Sequence, residues 1–184
     1  MRKKIAVLLL TVAGLLSGLV PAAAAQGTTL VQLETEKSEL TLGEKTTVTV
    51  KASEARNLAG IAFKLYYDPG MLRIAQDEQG NDAIQAGPDV NPLSFPEVDG
   101  LHVDKENGVI SLLASYGKPF SVQTSPVTVL SITFVATGSG SADVVLDEIQ
   151  VSNYASKSIG ANTEDQQPVT VASELYKPPS SVKF

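Results

Sequence analysis

Few residues in this chain could carry out chemistry. There is one histidine, His102, and no cysteine. A hydrolytic triad would have to use His102, and neither a Gly-x-Ser-x-Gly elbow nor a phosphate-binding glycine loop is present. His102 sits in "GLHVD", where polar and apolar residues alternate as on a half-exposed strand. A lone histidine there is a surface or interface residue rather than a base. The acid pairs Asp77 with Glu78 and Asp147 with Glu148 could hydrolyse a glycoside only from facing walls of a cleft. As sequence neighbours they read as solvated loop acids, so no catalytic residue is assigned and the chain is read as a non-enzyme.

Metal binding has two candidate loops, "DEQGND" from Asp77 to Asp82 and "DKENG" from Asp104 to Gly108. Calcium takes oxygen ligands in flexible geometry and could use either loop. Neither has the spaced Asp-x-Asp-x-Asp-Gly pattern with its distant bidentate glutamate, so plain acidic turns are expected and no cofactor is assigned. Sugar stacking has little to work with: there is no tryptophan, and the tyrosines are Tyr66, Tyr67, Tyr116, Tyr154 and Tyr176. Period-two patterning turns Tyr67 inward.

The elements that would position these residues are strands. "LTLGEKTTVTVKAS" sets Val48, Val50 and Ala52 on one face and Thr47, Thr49 and Lys51 on the other, after a turn at Gly43. "LAGIAFKLYY" places Ile61, Phe63, Leu65 and Tyr67 on a core face and Gly60, Ala62, Lys64 and Tyr66 opposite. Pro69 then stops the ladder, since it has no amide donor and pushes Asp68 to extended geometry, and a short strand with Leu72 and Ile74 follows. From Asp77 to Asp99, Pro88, Pro92 and Pro96 predict a long excursion with at most short strands. "GLHVD" and "VISLLASY" flank Asn107-Gly108, the signal of a tight hairpin. "VTVLSITFVAT" offers Leu130, Ile132, Phe134 and Ala136 to the core, "ADVVLDEIQVSN" offers Val144 and Leu146, and "PVTVAS" closes the domain. A helical turn is allowed for only in the excursion or between Ser152 and Asn162. Eight or nine short strands without a helical stripe predict an all-β sandwich.

The chain opens MRKK, runs apolar from Ile5 to Val20 and offers Ala23-Ala24-Ala25 before Gln26. This is the order of a cleaved secretory signal peptide over residues 1–25. Its removal leaves 159 residues, enough for one domain that buries roughly 70% of its unfolded surface. It also removes Arg2, Lys3 and Lys4, leaving 11 basic against 20 acidic residues and a net charge of −9. Nucleic acid and anionic membrane surfaces are poor partners for such a protein, and a secreted, extracellular location is expected, with cell-surface association as a variant. Without cysteine the fold must rest on its core.

The strand "GIAFKLYYDPGMLRI", preceded by "GEKTTVTV" and followed by "GVISLLAS" and "VLSITFVATGSGSADVVL", resembles a cohesin domain from Thr29 to Ser173. The resemblance implies a nine-stranded jelly-roll β-sandwich over residues 26–173, with 174–184 as a short flexible tail. Its implied role is to bind a dockerin-type partner, a small calcium-loaded helical pair, in extracellular assembly, so that calcium belongs to the partner. The related carbohydrate-binding modules share the architecture, and polysaccharide binding is the alternative. The family's binding face maps onto Gly60, Ala62, Lys64 and Tyr66, then Ser111, Leu113, Ser115 and Tyr116, with Leu113 and Tyr116 as an outward apolar and aromatic pair. Gly60 and Ala62 stand where cohesins of cellulose-degrading complexes often carry polar side chains.

Overall fold

A computed structural model describes residues 28–54, 57–95, 98–117, 125–154, 158–159, 161–164 and 169–172. The strands are β1 (Thr29–Thr35), β2 (Glu39–Thr41), β3 (Lys45–Ser53), β4 (Leu58–Tyr67), β5 (Leu72–Ile74), β6 (Ile84–Ala86), β7 (Val90–Pro92), β8 (Ser94–Phe95) and β9 (Val98–Asp99). They continue as β10 (Leu101–Asp104), β11 (Val109–Tyr116), β12 (Val127–Ala136), β13 (Gly140–Ala142), β14 (Val144–Asn153), β15 (Ser158–Ile159), β16 (Ala161–Glu164) and β17 (Val169–Ala172). Among the described residues there is no helix. The expected signal peptide and the tail from 174 lie outside the described residues.

Two sheets form the sandwich. One runs β16-β1-β3-β12, with β6 and β5 end to end along the far edge of β12; the other runs β10-β11-β4-β14-β15, with β7 continuing the edge beside β11. A small sheet, β13-β17-β2, and the β8-β9 hairpin complete it. Most pairings are antiparallel; β1 with β16 and β2 with β17 are parallel. The alternation read from the sequence decides what lies between the sheets. Val48, Val50, Ala52, Leu130, Ile132 and Phe134 of one sheet meet Ile61, Phe63, Leu65, Tyr67, Ile110 and Leu112 of the other, all buried. The Tyr67 and Phe134 rings pack across the gap with centroids 5.0 Å apart and planes tilted by 53°. Burying a side chain such as Phe134 contributes about 1.5–3 kcal/mol.

The Asp68-Pro69 corner moves the chain from one sheet to the other. β4 ends at Tyr67 in the second sheet and β5 begins at Leu72 in the first. Asp68 builds the bend itself: its carbonyl accepts from Met71 N (3.1 Å) and Leu72 N (2.9 Å), and its carboxylate accepts from Gly70 N at 2.8 Å. Register shifts at three places adjust the pairing, the last of them between Ser152 and Asn153 where β14 runs beside the start of β4. At Thr128/Leu130 an extra residue lets Val129 and Leu130 both be buried, an addition to the alternating core expected there. Between Asp147 and Gln150 a second bulge turns Glu148 outward at φ 52°, in the left-handed region.

The described residues of the excursion form only strands of two or three residues, as its proline content predicts. Its course is specific. β7 pairs with Ala114–Tyr116 and β10 with Val109–Leu112, so together they flank β11, and the β8-β9 hairpin leaves the sheet between them at Leu113. Leu93 N donates to the Leu113 carbonyl (2.9 Å), and Leu113 N donates to the Gly100 carbonyl (2.6 Å). A Cβ on Gly100 would lie 2.1 Å from the Leu93 carbonyl oxygen, so only glycine fits this closure. The turn between β10 and β11 differs from the tight hairpin that Asn-Gly predicts: it spans four residues, and of the pair only Gly108 has positive φ, 67°. Asp104 takes over the turn by accepting Asn107 N (3.1 Å) and Asn107 Nδ2 (2.7 Å).

Candidate functional site

The outer face of the β10-β11-β4-β14 sheet is organised in rows, because antiparallel register sets outward residues opposite one another. Val109, Tyr66 and Val145 form one row; Ser111, Lys64 and Asp147 the next, with His102 beyond Ser111; Leu113, Ala62 and Gln150 the third; Ser115, Gly60 and Ser152 the fourth. Seven of the eight residues expected on the binding face therefore share one surface. β4 lies between β11 and β14, so its backbone groups are used within the sheet and only its side chains are offered.

Tyr116 is the correction. β11 alternates without interruption, so an outward Ser115 forces Tyr116 inward, and its pairing opposite Val90 continues with no register shift. Tyr116 is 4% exposed, and burial pushes its hydroxyl pKa well above the usual tyrosine value. The outward aromatic at this end is instead Tyr154, 49% exposed, whose hydroxyl donates to the Tyr116 carbonyl at 2.7 Å. Leu113 is outward as expected, at 36% exposure.

Centrally, Lys64 Nζ donates to Glu148 Oε1 at 2.8 Å, and the Tyr66 hydroxyl reaches the same oxygen at 3.4 Å. The hydrogen bond to Glu148 raises the Lys64 pKa above its ordinary value, so the ammonium is retained at neutral pH. The β14 bulge makes this contact, so Asp147 and Glu148 stand on a strand of the face and not in the loop expected for them, with Glu148 as the partner of Lys64. At the Gly60 end the small side chains leave a shallow depression of about 570 Å³, bounded by Leu93, Leu113 and Tyr154. A smaller one, about 270 Å³, lies beside His102, Asp99 and Glu148. Among the described residues no hydrogen bond joins His102 to a carboxylate or hydroxyl. β14 and Leu93 were not among the expected site residues; alternation around Val144 and Leu146 already placed Val145 and Asp147 outward, but no local signal made β14 the neighbour of β4.

The two candidate calcium loops are turns closed on themselves. Asp77 Oδ1 accepts from Gln79 N (2.9 Å) and Asn81 N (2.8 Å), and Oδ2 from Asn81 Nδ2 (3.3 Å). Among the described residues no group of three or more His, Cys, Asp or Glu converges as a metal site. The outer face of the opposite sheet is different in kind, with Thr47 beside Thr133 and Thr49 beside Ser131, hydroxyl to hydroxyl at 3.4 Å. The exposed Leu113 and Val145 both belong to the β11-β4-β14 face.

A family model described as "Cohesin domain" matches residues 31–174. Solved structures similar to this chain include a type II cohesin–X-dockerin complex from Acetivibrio cellulolyticus, at 18% identity and TM-score 0.60, covering 78% of this chain and 99% of that one. A type I cohesin–dockerin complex from Clostridium thermocellum matches at 12% identity and TM-score 0.59, covering 83% and 98%. A non-cellulosomal cohesin from the archaeon Archaeoglobus fulgidus matches at 15% identity and TM-score 0.57, covering 82% and 94%. No curated protein matches. At these identities the structural likenesses establish the sandwich fold.

Proposed function

The chain belongs to the cohesin domain family, a family of non-catalytic protein-interaction modules, and we propose that its β10-β11-β4-β14 face receives a dockerin-type module of another protein. The observation that carries the reading is the surface itself: four ordered rows on three adjacent strands, with Leu113 exposed near the middle and flanked by small side chains. Exposed apolar residues in such a setting anchor interfaces. Gly60, Ala62, Lys64, Tyr66, Ser111, Leu113 and Ser115 form the contact set, extended by Gln150 and Ser152. Calcium is required by the partner. The protein works outside the cell, after removal of residues 1–25. Intact mass of the exported product tests the last point: a chain beginning at Gln26 is expected, and retention of residues 1–25 would refute it.

The functional test is calorimetric titration against calcium-loaded dockerin modules, including those of the two cohesin complexes above and any recovered by pull-down with this chain. Leu113→Asp is expected to weaken binding by at least ~2 kcal/mol, because it buries an unpaired carboxylate at a desolvated anchor. Its urea midpoint should stay near wild type. Chelating calcium should abolish the complex without changing the melting of this chain. Insoluble cellulose and chitin serve as parallel arms; tight retention there with no dockerin bound would replace this reading with carbohydrate binding.

A further inference from the structure

We propose that the depression at the Gly60 end of the face is a socket for one branched apolar side chain on an α-helix of the partner, and that the same helix carries a lysine or arginine one turn away, over Asp147. This rests on the partner-binding reading above and adds what the partner must present. The socket exists because four adjacent outward positions are small: Gly60, Ala62, Ser115 and Ser152 form its floor. Leu113 walls it on the β11 side. Tyr154 bars its end, since the side chain starts at the end of β14 and its hydroxyl is tied to the carbonyl of Tyr116 at the end of β11. Gln150 and Asn153 line the β14 side of the hollow, but beside Leu113 the floor is Gly60 and Ala62, which offer no side-chain hydrogen bond; a charged or amide group seated there would lose hydration without return, whereas an apolar branch loses none.

Charge selects the neighbour of that side chain. In the adjoining row Lys64 is held by Glu148, while among the described residues neither Asp147 nor Asp99 closes an ion pair. The patch of Lys64, Asp99, Asp147 and Glu148 therefore carries two uncompensated negative charges, and a cation on the partner complements them. Spacing selects the element. Ala62 and Lys64 are two residues apart on β4, about 6.5–7 Å along the strand, and positions i and i+4 of a helix are about 6 Å apart along its axis. Strand addition is not available to β4, both of whose edges are already paired. A helix lying along β4, apolar branch in the socket and basic residue four positions on, meets all three conditions.

The test uses the calcium-loaded dockerin of the Acetivibrio cellulolyticus complex as a display scaffold, with the outward positions of its helices randomised and selected on the wild-type protein. Selected sequences should converge on leucine or isoleucine at one position with lysine or arginine three or four residues away. In titrations of these binders, Ala62→Leu and Ser115→Leu, two independent ways of filling the socket, should each weaken binding by about 30-fold or more. Asp147→Lys should cost about tenfold and flatten the salt dependence. Urea melts verify that each variant is folded, and either socket variant suffices if the other is not. Binders that lose affinity with Leu113→Asp but ignore both socket variants, or that carry a polar residue at the socket position, would overturn this inference and leave the binding face standing. Failure to select any binder, or binders indifferent to Leu113→Asp, would overturn both.

Discussion

Neighbouring residues on β4 have opposite fates, and the contrast is measurable. Phe63 is buried between the sheets, as is Phe134 across the core, whereas Lys64 stands on the outer face in an ion pair whose side chains remain 40% and 53% exposed. Truncation of a buried phenylalanine removes its transfer energy and leaves a cavity, so Phe63→Ala and Phe134→Ala should each destabilise the protein by about 3–5 kcal/mol. Lys64→Ala should cost about half a kcal/mol or less, since an exposed ion pair gains little against solvent and side-chain entropy. Urea melts of the three variants check this, and equal losses at 63 and 64 would mean that the strand register is wrong. Tyr116 teaches the same lesson from the other direction: one step from Ser115 exchanges the binding face for the core.

At the scale of elements, the turns carry the pH dependence. The carboxylates of Asp77 and Asp104 are held below their ordinary pKa, Asp77 first by the Asn81 backbone amide and Asp104 first by the Asn107 side chain. A group whose folded pKa is depressed stabilises the fold fully above its unfolded value, about 3.9, and that contribution disappears as pH falls through the folded pKa. The urea midpoint should therefore be level near neutrality and decline below about pH 4. Asp77→Asn and Asp104→Asn, which keep one acceptor oxygen but cannot titrate, should each make that decline shallower. A midpoint profile unchanged in both variants would show that other carboxylates set the acid limb. These turns also tie distant parts together: the Gly108 carbonyl accepts Tyr67 N at 2.9 Å, so the β10-β11 hairpin is fastened to the end of β4 beside the Asp68-Pro69 corner.

Among the described residues a buried cluster joins the two large sheets and takes in Leu40, Ala142 and Val169 of the small one, with no disulfide available to the chain. Both sheets contribute to the same buried cluster, so neither can lose its packing while the other keeps it. Unfolding followed by tyrosine fluorescence and by far-ultraviolet circular dichroism should give coincident, single transitions, unaltered by a reducing agent. Separate transitions would mean that the small β13-β17-β2 sheet or the excursion melts independently. The division of labour between the outer faces is also a property of the whole: a polar hydroxyl-bearing surface on one side, and on the other the rows that carry Leu113, the Lys64–Glu148 pair and the socket.

What the sequence determined by itself was whatever depends on neighbours along the chain. Period-two alternation identified Ile61, Phe63, Leu65 and Tyr67 as core and Gly60, Ala62, Lys64 and Tyr66 as outward, because successive side chains of a strand point to opposite faces. Pro69 marked the end of β4, and the proline content of the excursion predicted that its strands would be short. Pairing between strands far apart in sequence was decided only in the tertiary structure. That β14 lies against β4, that its bulge turns Glu148 towards Lys64, and that Tyr154 reaches back to β11 all depend on hydrogen-bond register set by core packing. The socket is the clearest case: its floor comes from β4, β11 and β14, each residue small for no reason visible in its own segment, and the hollow appears only where the register brings them side by side.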